Sequence, residues 1–169
     1  MTEVRPERAG DAGAIRRVHL ACFPTPAEAD LVDRLRDRGH LVVSLVAESG
    51  GGIVGNVGFS PVSAARGGVG AGLAPLAVLP GHRRTGLGAD LVTRGIAACA
   101  RAGFDWVVVL GDPHYYGRFG FEPASAWGLS DAYDDGPAFQ VLGLAGSTPP
   151  RDVGLVSYGP EFAELGGNA

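Results

Sequence analysis

The sequence lacks most of the features that mark specialised protein classes. No apolar run is long and continuous enough to cross a membrane. The opening MTEVRPERAGD carries charge where a secretory signal has its apolar core, so a cytoplasmic location is expected. Only two cysteines occur, Cys22 and Cys99; they are far apart, lack metal-ligand spacing and read as free thiols in a reducing compartment. Four scattered histidines suggest no metal site. The net charge is −4, and basic residues concentrate only at 82–84, which argues against a nucleic-acid partner. There is no internal repeat, and the 28 glycines are spread along the chain. What is present is length for one domain with a real core: 169 residues, 46% of them hydrophobic.

Periodicity then divides the chain. A short strand is expected around Val4, and residues 11–23 read as a helix with Ile15, Val18 and Cys22 on one face. In TPAEADLVDRL, Thr25 stands as N-cap, Pro26 in the first turn and Glu28 as the far half of a capping box; Leu31, Val32 and Leu35 form the apolar stripe. Residues 40–48 and 53–62 form an antiparallel pair joined by SGGG. After a loop at 65–72, LAPLAVLP (73–80) is the next strand. Pro75 has no N–H to give a ladder, so a bulge, an edge or a splayed neighbour is expected there. A helix at 86–102 leads to a strand at 104–110, which is buried on both faces and includes Trp106. That crossover makes strands 73–80 and 104–110 parallel neighbours. Residues 111–123 read as a loop, a short helix and a turn into a strand; 138–144 and 153–158 are the last strand candidates. The fold class is mixed α/β (α+β).

Within HRRTGLGADL (82–91), Gly86 and Gly88 follow a strand and open a helix. Glycine lets the backbone wrap closely around a ligand, and the first amides of a helix are unpaired. With charge from Arg83 and Arg84, the stretch suits a pyrophosphate. An ordinary strand-to-helix turn with solvated arginines has the same pattern. A Walker loop lacks its Gly-Lys-Ser/Thr ending here. A dinucleotide fingerprint needs a third glycine where Leu91 stands, and an acidic residue where the next strand ends in Leu110 and Gly111.

Taken with the strand before it, LAPLAVLPGHRRTGLGADL resembles the acetyl-CoA-binding segment of the GNAT superfamily, the Gcn5-related N-acetyltransferases. Their signature is Arg/Gln-x-x-Gly-x-Gly/Ala, and Arg83, Gly86 and Gly88 match it position for position. YYGRFGFEP (115–123) resembles a later block in which a tyrosine stands four residues before a Gly-Phe pair; Tyr116 stands four before Gly120 and Phe121. The wording of LGDPHYYGRFGF is similar to the bacterial YhbS-like branch of predicted acetyltransferases, and the resemblance covers most of the chain. It implies a single GNAT domain over 1–169, with a mixed, mostly antiparallel sheet whose central parallel strands splay, flanked by helices. It also implies acetyl-CoA (coenzyme A) as cosubstrate and no metal. By that match the backbone of Leu76, Ala77 and Val78 lines the thioester. Arg83 and the amides of Arg84, Thr85, Gly86, Leu87, Gly88 and Ala89 hold the pyrophosphate. Tyr116 becomes the acid for the departing thiolate, since a phenol of pKa about 10 keeps its proton at neutral pH. A backbone N–H of Ala77 or Val78 is the expected donor to the oxyanion.

The implied reaction carries an acetyl group to a primary amine, of a small molecule or a peptide, by direct attack in a ternary complex. The protein would be a monomer or homodimer, with no membrane or nucleic-acid partner. Strand 73–80 has no acidic residue to act as general base. Glu48, Asp112, His114 and Glu122 read as solvated or capping groups. Many members have an asparagine where this chain has Val109, and the compressed GDP leaves Asp112 to order the loop or touch the cofactor. Tyr115 is expected to pack or to line a pocket, and Trp127 to line the acceptor site or staple the fold. His82 reads as solvated or a weak phosphate contact, His19 and His40 as structural. Asp131, Asp134 and Asp135 read as a solvated acidic loop or an attractor of a cationic amine. The missing strand carboxylate leaves a non-catalytic acyl-CoA-binding or sensing module as the alternative.

Overall fold

Strand β1 (Thr2–Pro6) opens the chain, followed by helices α1 (Ala12–Cys22) and α2 (Ala27–Asp37). Strands β2 (Val43–Ser49), β3 (Gly52–Val62) and β4 (Gly70–Val78) lead into helix α3 (Leu87–Arg101) and strand β5 (Trp106–Leu110). Then come the single-turn α4 (Pro113–Tyr116), the short strands β6 (Glu122–Pro123), β7 (Leu129–Asp131), β8 (Phe139–Gly143) and β9 (Gly154–Val156), and a last turn α5 (Ala163–Gly166). The structure, a computed structural model, describes residues 1–166. The main sheet has seven strands in the order β1-β2-β3-β4-β5-β8-β6, and β7 pairs with β9 apart from it. The β1–β2, β2–β3, β5–β8 and β6–β8 ladders are antiparallel; β4–β5 and β7–β9 are parallel. This is the mixed, mostly antiparallel α/β architecture expected.

The chain forms two compact units. One holds Met1–Ser60, Ala74–Gly95 and the stretch from Glu161; the other holds Pro61–Leu73 and Ile96–Pro160. Strands β3 and β4 and helix α3 each contribute to both.

In the first unit β3 shows its two faces. Val57 and Phe59 are fully buried on one side and Asn56 on the other. A Cβ at Gly55 would meet Leu91, and a Cβ at Gly95 would run into the ring of Phe59, so α3 covers the Phe59 side. Glycine inside a helix costs roughly 1 kcal/mol relative to alanine; at position 95 it makes room for an aromatic ring. Helix α1 covers the Asn56 side, where His19 Nε2 and Asn56 Oδ1 lie 2.8 Å apart. Asn56 donates to the Leu45 carbonyl and to Ser44 Oγ, Ser44 donates to Glu7, and Glu7 pairs with Arg36 of α2. A polar chain thus ties both helices to the sheet, beside the apolar contact of Ile15, Val32 and Val46.

The start of α2 differs from the expected capping box. Pro26 occupies the cap position, so Glu28 is the second helical residue, too near the terminus to reach back to Thr25. Among the described residues Thr25 Oγ1 accepts only from the Ala27 amide, at 3.3 Å. Strand β2 begins at Val43 rather than at 40, because the amides of His40 and Leu41 both bond the Leu35 carbonyl and close α2.

In the second unit β5 runs between β4 and β8, and Trp106, Val107, Val108 and Val109 are all buried. Trp106 joins Val108, Phe139, Val141 and Val156 in one cluster, and its indole donates to the Gly67 carbonyl at 2.7 Å. Strand β4 begins at Gly70, inside the stretch read as a loop. There the Trp106 ring fills the space a Gly70 side chain would need, so glycine here serves packing and not a turn. The three-residue β7 also lies in an expected loop. It exists through its pairing with β9, from Leu129 opposite Gly154 to Asp131 opposite Val156.

Candidate functional site

The parallel ladder of β4 with β5 ends at Leu73 opposite Val109, two residues before Pro75. The proline therefore sits just past the last rung, in line with its missing N–H. Beyond it, Ala77 is buried while Leu76 and Val78 stay partly exposed. The chain then turns at Pro80–His82, and Arg84 and Gly86 take left-handed backbone values, φ 61° and 87°. Glycine tolerates this conformation without strain. Thr85 Oγ1 donates to the His82 carbonyl at 2.6 Å, and the Asp90 amide bonds the Gly86 carbonyl, so Gly86 immediately precedes α3. Leu87 buries its side chain and anchors the turn, while Arg83 to Gly86 are exposed. The amides of Leu87, Gly88 and Ala89 stand in the first turn of a 15-residue helix. There they have no carbonyl one turn back and share the positive end of the helix dipole.

Arg83 Nε donates to the Val78 carbonyl at 2.8 Å, and the Cys22 thiol donates to the same oxygen at 3.4 Å. The arginine of the motif is thereby clipped to the end of β4. Residues 76–78 and 83–89 thus lie together in the first unit, as one strand–loop–helix device with positive character. Its donor set suits a pyrophosphate.

Asp112 and Tyr116 belong to the second unit. Asp112 orders the loop: its carboxylate accepts from the His114 amide at 2.9 Å and its carbonyl from the amides of Tyr115 and Tyr116. Tyr116 is 9% exposed, packed edge-on against Tyr115 and Phe121 at ring separations of 5.0 and 5.8 Å. Its hydroxyl makes no hydrogen bond among the described residues. Burial, with a smaller effect of Tyr115, pushes its pKa up to about 12, so the phenol keeps its proton at neutral pH. Tyr115 lies under the Arg118 guanidinium at 4.5 Å and against Phe119, as a packing residue.

One aromatic residue escaped the sequence reading. Tyr158 lays its ring over Gly72, 2.6 Å from where a Cβ would stand, and burial, reinforced by Asp131, Tyr133, Asp135 and Tyr116, raises its pKa. Its only signal was a glycine inside an apolar strand, which asks for a large neighbour but does not name it.

Two of the carboxylates weighed above have side-chain partners, Glu48 and Glu122. Glu48 bonds Arg5 at 3.0 Å, and Arg5 also holds Asp11 at 2.8 Å, which keeps both carboxyls below their ordinary range. Glu48 is an ion-pair partner of Arg5 and stays partly open to solvent. Glu122 accepts from the Trp127 indole at 3.0 Å, and Trp127 carries the Arg151 guanidinium at 4.4 Å; this tryptophan staples the fold. His19 bonds Asn56 and His40 bonds Glu161 at 2.9 Å, both structural as read. Asp131 accepts from the Asp135 amide at 3.3 Å, closing the acidic loop on itself. Among the described residues no group of three or more His, Cys, Asp or Glu is placed to hold a metal ion, and no helix is long and apolar enough to cross a membrane.

Residues 39–123 match the family model of the acetyltransferase (GNAT) domain. The chain belongs to the GNAT acetyltransferase family. Within it, the chain is 39% identical over 162 residues to the uncharacterized N-acetyltransferase YhbS of Escherichia coli K12, covering 94% of this chain and 97% of that protein. The fold is similar to the crystal structure of Escherichia coli YhbS in complex with CoA, with a TM-score of 0.87, 38% identity and coverage of 95% of this chain and 91% of that one. It is similar also to a GNAT family acetyltransferase from Brucella melitensis in complex with acetyl-CoA, with a TM-score of 0.78, 34% identity and coverage of 96% and 98%.

Proposed function

We propose that the protein is an acetyl-CoA-dependent N-acetyltransferase that transfers the acetyl group to a primary amine by direct attack in a ternary complex. The observation that carries this reading is the device at residues 76–89: a strand freed of its parallel partner, then a left-handed turn at Arg84 and Gly86 into the first amides of α3. The CoA and acetyl-CoA complexes of the two related proteins support the choice of ligand.

In this mechanism the amides of Arg84 to Ala89, with Arg83, hold the pyrophosphate, and the backbone of Leu76, Ala77 and Val78 lines the pantetheine arm. The neutral amine attacks the thioester carbon. A backbone N–H of Ala77 or Val78 donates to the oxyanion that forms. The carbon–sulfur bond then breaks, and the sulfur takes the Tyr116 proton, which solvent replaces. Asp112 acts by ordering the tyrosine's loop. The amine's own surplus proton leaves to water, since β4 carries no carboxylate. The acceptor is a small-molecule or peptide amine. The protein works as a single domain over 1–169, monomeric or homodimeric, in the cytoplasm, with no membrane or nucleic-acid partner.

The absence of an acidic residue on β4 favours a second reading, an acyl-CoA-binding module without turnover. A thiol-release screen with acetyl-CoA against polyamines, amino acids, aminoglycosides and peptide N-termini separates the two. Amine-dependent release of CoA that drops in Tyr116→Phe supports the transferase. Tight acetyl-CoA binding with no release across the panel supports the module.

A further inference from the structure

A cleft of about 550 Å3 opens in the first unit between α1 and the turn that joins β2 to β3. Of the device at 76–89 only Leu79 lines it; none of residues 76–78 or 83–89, the ones proposed to touch acetyl-CoA, does. Its floor is apolar, built from Ala14, Val18 and Ala21 on one face of α1 together with Ile53 and Leu79. The volume lies within the roughly 300–1,000 Å3 common for small-molecule sites.

Three charged side chains line the cleft, Asp11, Arg17 and Glu48, and Arg17 meets neither carboxylate. Arg17 is exposed and makes no side-chain hydrogen bond or ion pair among the described residues. The two carboxylates of the lining are not equivalent. Asp11 is fully engaged, accepting from Arg5 at 2.8 and 3.4 Å and from the Arg8 amide at 2.7 Å. Glu48 meets Arg5 through Oε1 alone, at 3.0 Å, and its Oε2 accepts no hydrogen bond among the described residues. What the cleft leaves open is one complete guanidinium fork and one carboxylate oxygen above an aliphatic floor.

That pattern selects among ligands. A simple anion on Arg17 would share the cleft with two carboxylates, and a simple cation on Glu48 would leave the Arg17 guanidinium without a partner. A zwitterion offers an opposite charge to each of the two open groups. We propose that the cleft binds a free α-amino acid with an aliphatic side chain. Its carboxylate lies on the Arg17 fork, which matches a carboxylate in two parallel bonds. Its ammonium group lies on Glu48 Oε2, and its side chain on Val18, Ile53 and Leu79. The inference needs no acetyl transfer, so it stands or falls apart from the function proposed above.

Calorimetric titration of the full chain with L-leucine tests it, with 4-methylpentanoate and 3-methylbutan-1-amine as probes that each lack one charge. Leucine is expected to saturate one site, with either probe at least about tenfold weaker. Arg17→Gln is expected to weaken leucine by about tenfold or more without moving the thermal midpoint, because Arg17 has no partner to lose. Ala21→Phe, at an exposed position, is expected to fill the floor and abolish binding while the fold persists. Three results would overturn the proposal: no saturable heat up to about 10 mM leucine, equal affinity for leucine and either probe, or unchanged leucine affinity in Arg17→Gln. Displacement of leucine by coenzyme A would also overturn it, by placing the ligand in the other site.

Discussion

The ring of Tyr116 fills the space that a side chain at Gly111 would need, its edge 2.5 Å from the missing Cβ. The backbone at Gly111 has little freedom to give way. Its amide bonds the Ala138 carbonyl at 3.0 Å and its carbonyl accepts from Gln140 at 3.1 Å. An added methyl must therefore displace the tyrosine. Gly111→Ala is expected to lose about 1–3 kcal/mol of stability and to slow turnover nearly as much as loss of the hydroxyl does. Thermal unfolding and thiol release measured side by side check this. A variant as active as the parent would show that the position of Tyr116 is not critical.

Tyr116→Phe removes only the hydroxyl of a ring that is already packed. It should reduce kcat by about a hundredfold, within the range of general-acid contributions, and leave the KM for acetyl-CoA nearly unchanged. The pH profile adds an independent check. The acid must hold its proton, and burial places its pKa at about 12, so loss of that proton should not limit kcat below about pH 10. A Phe variant that turns over as fast as the parent across this pH range would remove Tyr116 from this role.

The loop before α3 should respond to backbone geometry more than to charge alone. Gly86 sits at φ 87° with open space around its missing side chain, so Gly86→Val strains the turn without a clash. A left-handed backbone costs an L-residue roughly 1–2 kcal/mol. The expected result is a KM for acetyl-CoA raised by about tenfold or more, with a smaller effect on kcat at saturation. Arg83→Lys keeps a charge but cannot reproduce the guanidinium bond to Val78. It should raise KM less than Arg83→Ala does. Initial-rate kinetics with acetyl-CoA varied at fixed amine measures both.

Much of the candidate site could be read in the sequence because it rests on local rules. The turn at Gly86, the unpaired amides after it and the proline that ends a ladder each depend on a few neighbouring residues. Features set by distant contacts were not legible. Gly70 looked like loop material because nothing local showed that Trp106 would cover it. Tyr158 followed a short strand in a tail rich in glycine and proline, far in sequence from the Gly72 it shields. Glu48 carried no sign that Arg5, 43 residues earlier, would hold it. The capping box at Thr25 failed by a one-residue shift in the start of α2, a scale on which helix ends generally vary.

Helix α3 owes its seat on the sheet to a missing side chain. The Phe59 ring occupies the Cβ space of Gly95, and Phe59 is fully buried. Gly95→Ala would gain helix propensity in isolation, roughly 1 kcal/mol. In the folded chain it should instead lower stability by about 1–3 kcal/mol, as overpacking does. Adding Phe59→Leu should recover part of that loss, because a smaller partner makes room for the methyl. Urea melts of the two single variants and the double variant give the coupling directly. Strict additivity would mean that the two positions do not compete for the same space.

His19 is fully buried, and its hydrogen-bond partners fix its state. The Asn56 amide group already donates to the Leu45 carbonyl and to Ser44, so Asn56 Oδ1 is the atom facing His19, and the imidazole must donate to it through Nε2. Nδ1 has no partner among the described residues. Burial lowers the pKa below its ordinary 6.5 more strongly than the Asn56 bond raises it. The unfolded chain therefore binds a proton at His19 before the folded chain does. The contribution of this histidine to stability is complete above about pH 6.5 and falls as the pH drops below that value. The carboxyls of Asp11 and Glu48, held down by Arg5, lose their contributions only in a more acidic window, nearer their ordinary 3.8 and 4.5. Urea unfolding at about pH 7.5 and about pH 5.5 should thus show a larger loss in the parent than in His19→Gln. Glutamine can still donate to Asn56 from a similar place but does not titrate. Equal losses in the two proteins would assign the acid sensitivity to other groups.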